Sequence, residues 1–166
     1  MQVQDIMVKK VKTCRLDNTL DRAIHVMWSN DCGALPVLDG AGKVAGMITD
    51  RDVCIAIGTR NRLPSEIRVF EVKPNPQELF TCAPQDDIHT ALDTMRTRQV
   101  RRLPAVSQNG MLQGILCLND VALNAKKRNA LSYDDVVETL RAVCRQPERK
   151  QAAPEELPEE VPVLCD

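Results

Sequence analysis

A single offset of 68 residues constrains this chain more than any other feature. It carries Thr13-Cys14 onto Thr81-Cys82, Ala23 onto Ala91, Met27 onto Met95, Pro36 onto Pro104, Gly42 onto Gly110, Gly46 onto Gly114 and Asp52 onto Asp120, without a gap. Self-similarity at a fixed period means that one supersecondary unit occurs twice. A unit of roughly 50 to 60 residues buries too little surface to stand alone, so two packed copies form the smallest stable body.

Within each copy the periodicity changes along the chain. Val11 to Cys14 reads as a short strand, followed by Leu20, Ala23, Ile24 and Met27 on one helical face, matched by Ile88, Ala91, Leu92 and Met95. Leu35 to Leu38, a turn at Asp39 to Gly42, and Val44 to Thr49 read as a hairpin; Leu103 to Val106, Asn109-Gly110, and Leu112 to Cys117 repeat it. A second helix starts at Asp50 and at Leu118. The expected fold class is α+β: β-α-β-β-α twice, the sheets meeting about a pseudo-twofold axis. The expected division is repeat 1 at 3–58, a linker at 59–76 with Arg60, Arg62 and Arg68 exposed, and repeat 2 at 77–125.

After the repeats, Ser132 and Asp135 resemble a capping box, and Val136, Val137, Leu140, Val143 and Cys144 make an apolar stripe ending before Pro147. This predicts an additional amphipathic helix at 132–146 whose stripe is covered either by the same chain or by a dimer partner. Residues 147–166, rich in Pro and Glu without periodicity, read as a flexible acidic tail.

Composition removes several functions. The net charge of −1 leaves no basic footprint for nucleic acid, and aromatics at 2% leave few platforms for stacked bases. With no apolar stretch long enough to span a bilayer and no signal-like start, the chain is expected to be cytoplasmic, away from nucleic acid and membranes, with its seven cysteines reduced. No C-x-x-C pair occurs, and His25 and His89 stand apart on helices, so no metal site is expected. Cys14 and Cys82 lack an identifiable base nearby, which leaves a thiol enzyme or redox sensor with only the cysteine count behind it.

The corner Gly46-Met47-Ile48-Thr49-Asp50-Arg51-Asp52 and its echo Gly114 to Asp120 carry the chemistry. A strand runs into a helix start, where unpaired N–H groups and the helix dipole favour an anion. The same Thr49-x-x-Asp52 spacing is also a capping box, in which the carboxylate folds back on the N-cap N–H, so two readings compete for one side chain.

These corners, together with Asp5-Ile6-Met7, Asp17-Asn18-Thr19-Leu20, Cys32 to Val37 and Val100 to Val106, resemble a stand-alone pair of bacterial cystathionine-β-synthase (CBS) domains, a Bateman module. The likeness covers about Val3 to Ala125. It implies a non-catalytic sensor that binds AMP, ADP or ATP as a regulatory ligand, needs no cofactor, forms a homodimer, and signals occupancy to an unidentified protein partner. It further implies that Asp52 and Asp120 grip ribose and that Thr49, with Arg51, meets phosphate. Cys117 replaces the hydroxyl residue in the second copy, so phosphate there would lean on backbone N–H groups or on Arg101 and Arg102. Adenine would sit against Thr13-Cys14 and Ala34-Leu35-Pro36, or against Thr81-Cys82 and Arg102-Leu103-Pro104. Pro74 and Asn75 replace the Ile-Met type residues that open the first copy. The alternative is a ligand-free dimerisation scaffold that recruits a partner through the C-terminal helix or tail.

Overall fold

The computed structural model describes residues 1–72, 79–126 and 130–145. The expectations for Pro74, Asn75 and the tail lie outside the described residues.

Both copies build the expected hairpin. In repeat 1, β1 (Cys14–Arg15) lies parallel to β2 (Ala34–Leu38), which pairs antiparallel with β3 (Val44–Thr49). In repeat 2, β4 (Arg102–Val106) pairs with β5 (Leu112–Cys117), and the strand equivalent to β1 shrinks to one parallel bridge, Cys82 to Ala105. The helices are α1 (Leu20–Ser29), α2 (Asp50–Arg60), α3 (Val69–Val72), α4 (Ile88–Arg98), α5 (Leu118–Asn124) and α6 (Tyr133–Cys144). Among the described residues, no helix is long and apolar enough to cross a membrane. Gly42 and Gly110, with φ of +80° and +79°, supply the left-handed residue that each hairpin turn requires.

The axis relating the copies passes between the hairpin tips. Lys43 and Met111 occupy equivalent positions and form an antiparallel bridge to each other, as a twofold demands, and the Val44 N–H donates to the Gly110 carbonyl at 3.0 Å. Each copy keeps its own aliphatic core, one built around Leu20, Leu35, Ile48 and Ile67, the other around Ile88, Leu92, Leu103 and Leu116.

The stretches leading into each copy cross over. Val3 is fully buried in the core of repeat 2, its N–H donates to the Asp86 carbonyl at 3.0 Å, and Val8 pairs with Ile115 of β5. In the same way Ile67 and Val69 are fully buried in the core of repeat 1, and the Val69 N–H donates to the Asn18 carbonyl at 2.9 Å. The described part of the segment between the copies is thus folded onto repeat 1. Its arginines are exposed yet pinned: Arg62 bonds the Glu71 carboxylate at 2.8 Å, and Arg68 bonds the Asp17 carbonyl at 2.7 Å.

α6 starts where the capping box places it. The Ser132 N–H and O–H both donate to Asp135 Oδ2, at 2.8 and 2.7 Å, and these bonds hold the Asp135 carboxyl below its ordinary range. The helix seats Val136, Thr139 and Val143 against repeat 2, with Arg96 Nε donating to Thr139 Oγ1 at 2.9 Å.

Candidate functional site

Two clefts lie between the copies, each joining the strand–helix corner of one to the helix–strand loop of the other. The first, of about 680 Å³, brings Gly46, Met47, Thr49, Arg51 and Asp52 together with Arg98 to Arg102. The second, of about 750 Å³, brings Ile115, Cys117, Leu118 and Asn119 together with Asn30 to Ala34. Apart from Gly46, Asp52 and Leu118, these residues correspond at the 68-residue offset, so the pseudo-symmetry extends to the clefts. Ala34 and Arg102, themselves equivalent, line both, as does Arg101.

The first cleft is strongly cationic. Arg51, Arg98, Arg101 and Arg102 line it, and the Arg98 guanidinium lies 4.8 Å from the centre of the Phe80 ring, which forms an aromatic wall. Asp52 is the acidic residue of this lining. Its carboxylate caps α2: Oδ2 accepts the Thr49 N–H at 2.9 Å and the Thr49 hydroxyl at 2.7 Å, and the Asp52 N–H returns a bond to Thr49 Oγ1 at 3.2 Å. The competition between capping and ligand duty is therefore physical. A ligand reaching this carboxylate must either share it with Thr49 or displace the capping bonds.

The second cleft has different chemistry on the same frame. Asp120 accepts the Cys117 N–H at 2.8 Å as the cap of α5, and is not among the residues lining the cleft. Burial, reinforced by the Asp120 charge, pushes the Cys117 thiol up to about 11, so at neutral pH it is a weak neutral donor. Lys10 and Lys12 add positive charge from the N-terminal side.

The remaining expected residues sit further back. Leu35 and Leu103 bury their side chains fully in the two cores, and Pro36 is buried beside Leu35. Cys14 and Cys82 are buried, with thiols raised to about 12 by desolvation, while Thr13 and Thr81 are half-buried. None of these seven residues lines either cleft.

Residue patterns alone do not point to Phe80, Arg98, Gln99, Lys10 or Lys12. At the 68-residue offset Arg98 aligns with Asn30, Gln99 with Asp31 and Phe80 with Lys12, so no residue type is shared and the repeat leaves these positions unmarked. The signal that was available is local: Arg96, Arg98, Arg101 and Arg102 form a basic run across the end of α4 and the start of β4.

A family model described as CBS domain matches residues 3–59 and 69–126. The CBS domain-containing protein YhcV of Bacillus subtilis is 34% identical over 122 residues, which cover 74% of this chain and 84% of that protein. The crystal structure of Hypoxic Response Protein I, solved with two coordinated zinc ions, is 28% identical with a TM-score of 0.68, covering 76% of this chain and 100% of that one. The CBS pair of MJ0100, solved with 5′-methylthioadenosine and S-adenosyl-L-methionine, shares the fold at 20% identity and a TM-score of 0.65, covering 74% of this chain and 94% of that one. Among the described residues of the present chain, no group of three or more His, Cys, Asp or Glu is arranged to hold a metal.

Proposed function

The chain belongs to the CBS-domain family, and from that premise we propose that this regulatory pair binds an adenine nucleotide in its first cleft, as a homodimer that passes occupancy to a partner protein. The observation that carries the reading is the convergence of Arg51, Arg98, Arg101 and Arg102 on the corner formed by Thr49 and Asp52. Guanidinium groups suit phosphate oxygens, and the acceptor-only carboxylate of Asp52 suits a ribose diol. The solved MJ0100 pair holds adenosyl ligands, which supports an adenosine-sized occupant. Its S-adenosyl-L-methionine carries a sulfonium cation, however, and four arginines disfavour a cation, so the present cleft is suited to AMP, ADP or ATP. Binding would act by population shift, stabilising the arrangement of the two copies that closes best on the ligand.

Calorimetric titration of nucleotide-stripped protein tests this. AMP or ATP should bind, and Asp52→Ala should weaken binding roughly 10- to 100-fold, the scale of hydrogen bonds to a charged group, while Asp120→Ala has a smaller effect. Absence of heat at millimolar nucleotide would sink the proposal. Thermal stability indifferent to nucleotide but lowered by truncation before Ser132 would favour the scaffold alternative instead.

A further inference from the structure

A groove of about 700 Å³ runs between α1 and α2 on the outside of repeat 1, floored by Ile24, Met27, Val53 and Ile57. The 68-residue offset carries these onto Leu92, Met95, Val121 and Ala125 of repeat 2, all buried in the core on which α6 packs. The groove of repeat 2 thus holds an amphipathic helix, and among the described residues that of repeat 1 has no such cover. Trp28, 86% exposed, stands where repeat 2 has Arg96, the residue that bonds Thr139 of α6.

α6 carries a second apolar stripe. Tyr133, Val137, Leu140 and Cys144 follow at i, i+4, i+7 and i+11, and all are exposed, whereas Val136, Thr139 and Val143 face repeat 2. The groove and this stripe lie on one side of the molecule: Asp31 to Gly33 border both the groove and the second cleft, and Leu140 and Cys144 border that cleft as well.

We propose that the outer stripe of α6 docks in the α1–α2 groove of a second copy of this chain, and reciprocally, as the interface of the homodimer. This rests on the homodimer part of the reading above. Groove and stripe on one side of the chain are what a closed twofold contact needs, since each copy then offers both halves of the interface at once. Charge selects the occupant. In repeat 2, Gln99 donates to the α6 carbonyls of Ala142 and Arg145, at 3.2 and 2.9 Å. The equivalent Asp31 can only accept, and Asp50 adds a second carboxylate to the groove, so an incoming helix must bring donors. The exposed Arg141 and Arg145 supply them beside the outer stripe. Trp28 offers an apolar face in place of the Arg96 donor, matching Leu140 rather than Thr139. Apolar anchors set among complementary charges are the usual basis of a specific interface.

The native cysteines provide the test, since Cys54 lines the groove and Cys144 ends the stripe, both exposed. A short bis-maleimide applied to mixed heavy-isotope and unlabelled full-length chains should join a Cys54 peptide of one chain to a Cys144 peptide of the other. Light scattering should show a dimer for the wild type. Leu140→Glu and Trp28→Ala, both at exposed positions, should each raise the dimer dissociation constant at least about tenfold with the unfolding midpoint of the monomer unchanged. A dimer that yields only Cys54-to-Cys54 links, or that survives both substitutions, overturns this interface while leaving the homodimer standing. A monomer at all concentrations overturns both, and capture of a different partner in the groove with no dimer formed does the same; the nucleotide titration is independent of either result.

Discussion

Cys14 and Cys82 hold equivalent places at the opening of each repeat, and burial pushes both thiols up to about 12. At neutral pH they are protonated and shielded, so maleimide labelling should modify the exposed Cys54 and Cys144 first, and Cys14 and Cys82 only at the rate of unfolding. Equal rates at all four would contradict this burial. The same burial explains why these residues, expected at a pocket wall, stand behind it: a small apolar side chain at the start of the parallel strand is drawn into the core of its own repeat. At Thr49 and Asp52 one pattern of residues spells two roles, and residue types alone do not separate them. The capping bonds depend on where Oδ2 lies, which only the folded backbone determines.

α6 is an element whose start was legible in the sequence and whose packing was not; it ends at Cys144, two residues before the expected 146. Its start follows from Ser132 and Asp135, whose reciprocal bonds form a capping box. The Asp135 carboxyl is held low by Ser132, with the nearby His89 and Arg96 charges assisting. Its folded value lies below the ordinary 3.8, so the stabilising effect is full above that value and is lost as the pH falls through the lower folded one. The acid limb of a denaturant-midpoint profile should therefore flatten in Asp135→Asn, and a limb of unchanged slope would assign the acid sensitivity elsewhere. The apolar stripe read from the sequence combines two faces, because Val136 and Val137 are adjacent in sequence yet about 100° apart around the helix. Which face meets the chain's own core depends on the neighbouring α4 and on Arg96, 43 residues from the Thr139 it bonds.

Across the whole molecule, the 68-residue repeat made the architecture readable, down to the starts of α2 and α5. The crossing of the leading segments was not readable. Met1 stands to Ile88 as Ile67 stands to Leu20, an offset of 66 rather than 68, and the burial of Val3 against the far repeat leaves no local trace in residue type. Gly114 marks that crossing: a Cβ there would lie 2.7 Å from Met7 Sδ and 2.8 Å from the backbone oxygen of Val8. Gly114→Ala should therefore destabilise the protein by about 1–3 kcal/mol, the range for an overpacked contact, with hydrogen exchange rising first in repeat 2. An unchanged melting curve would mean that the N-terminal segment moves aside at little cost. Because each repeat is completed by the segment that leads into the other, a single repeat expressed alone would lack part of its core until a neighbour lent one. Its folding would then depend on concentration, and joining two such repeats in one chain converts that borrowing into an intramolecular event at a fixed effective concentration.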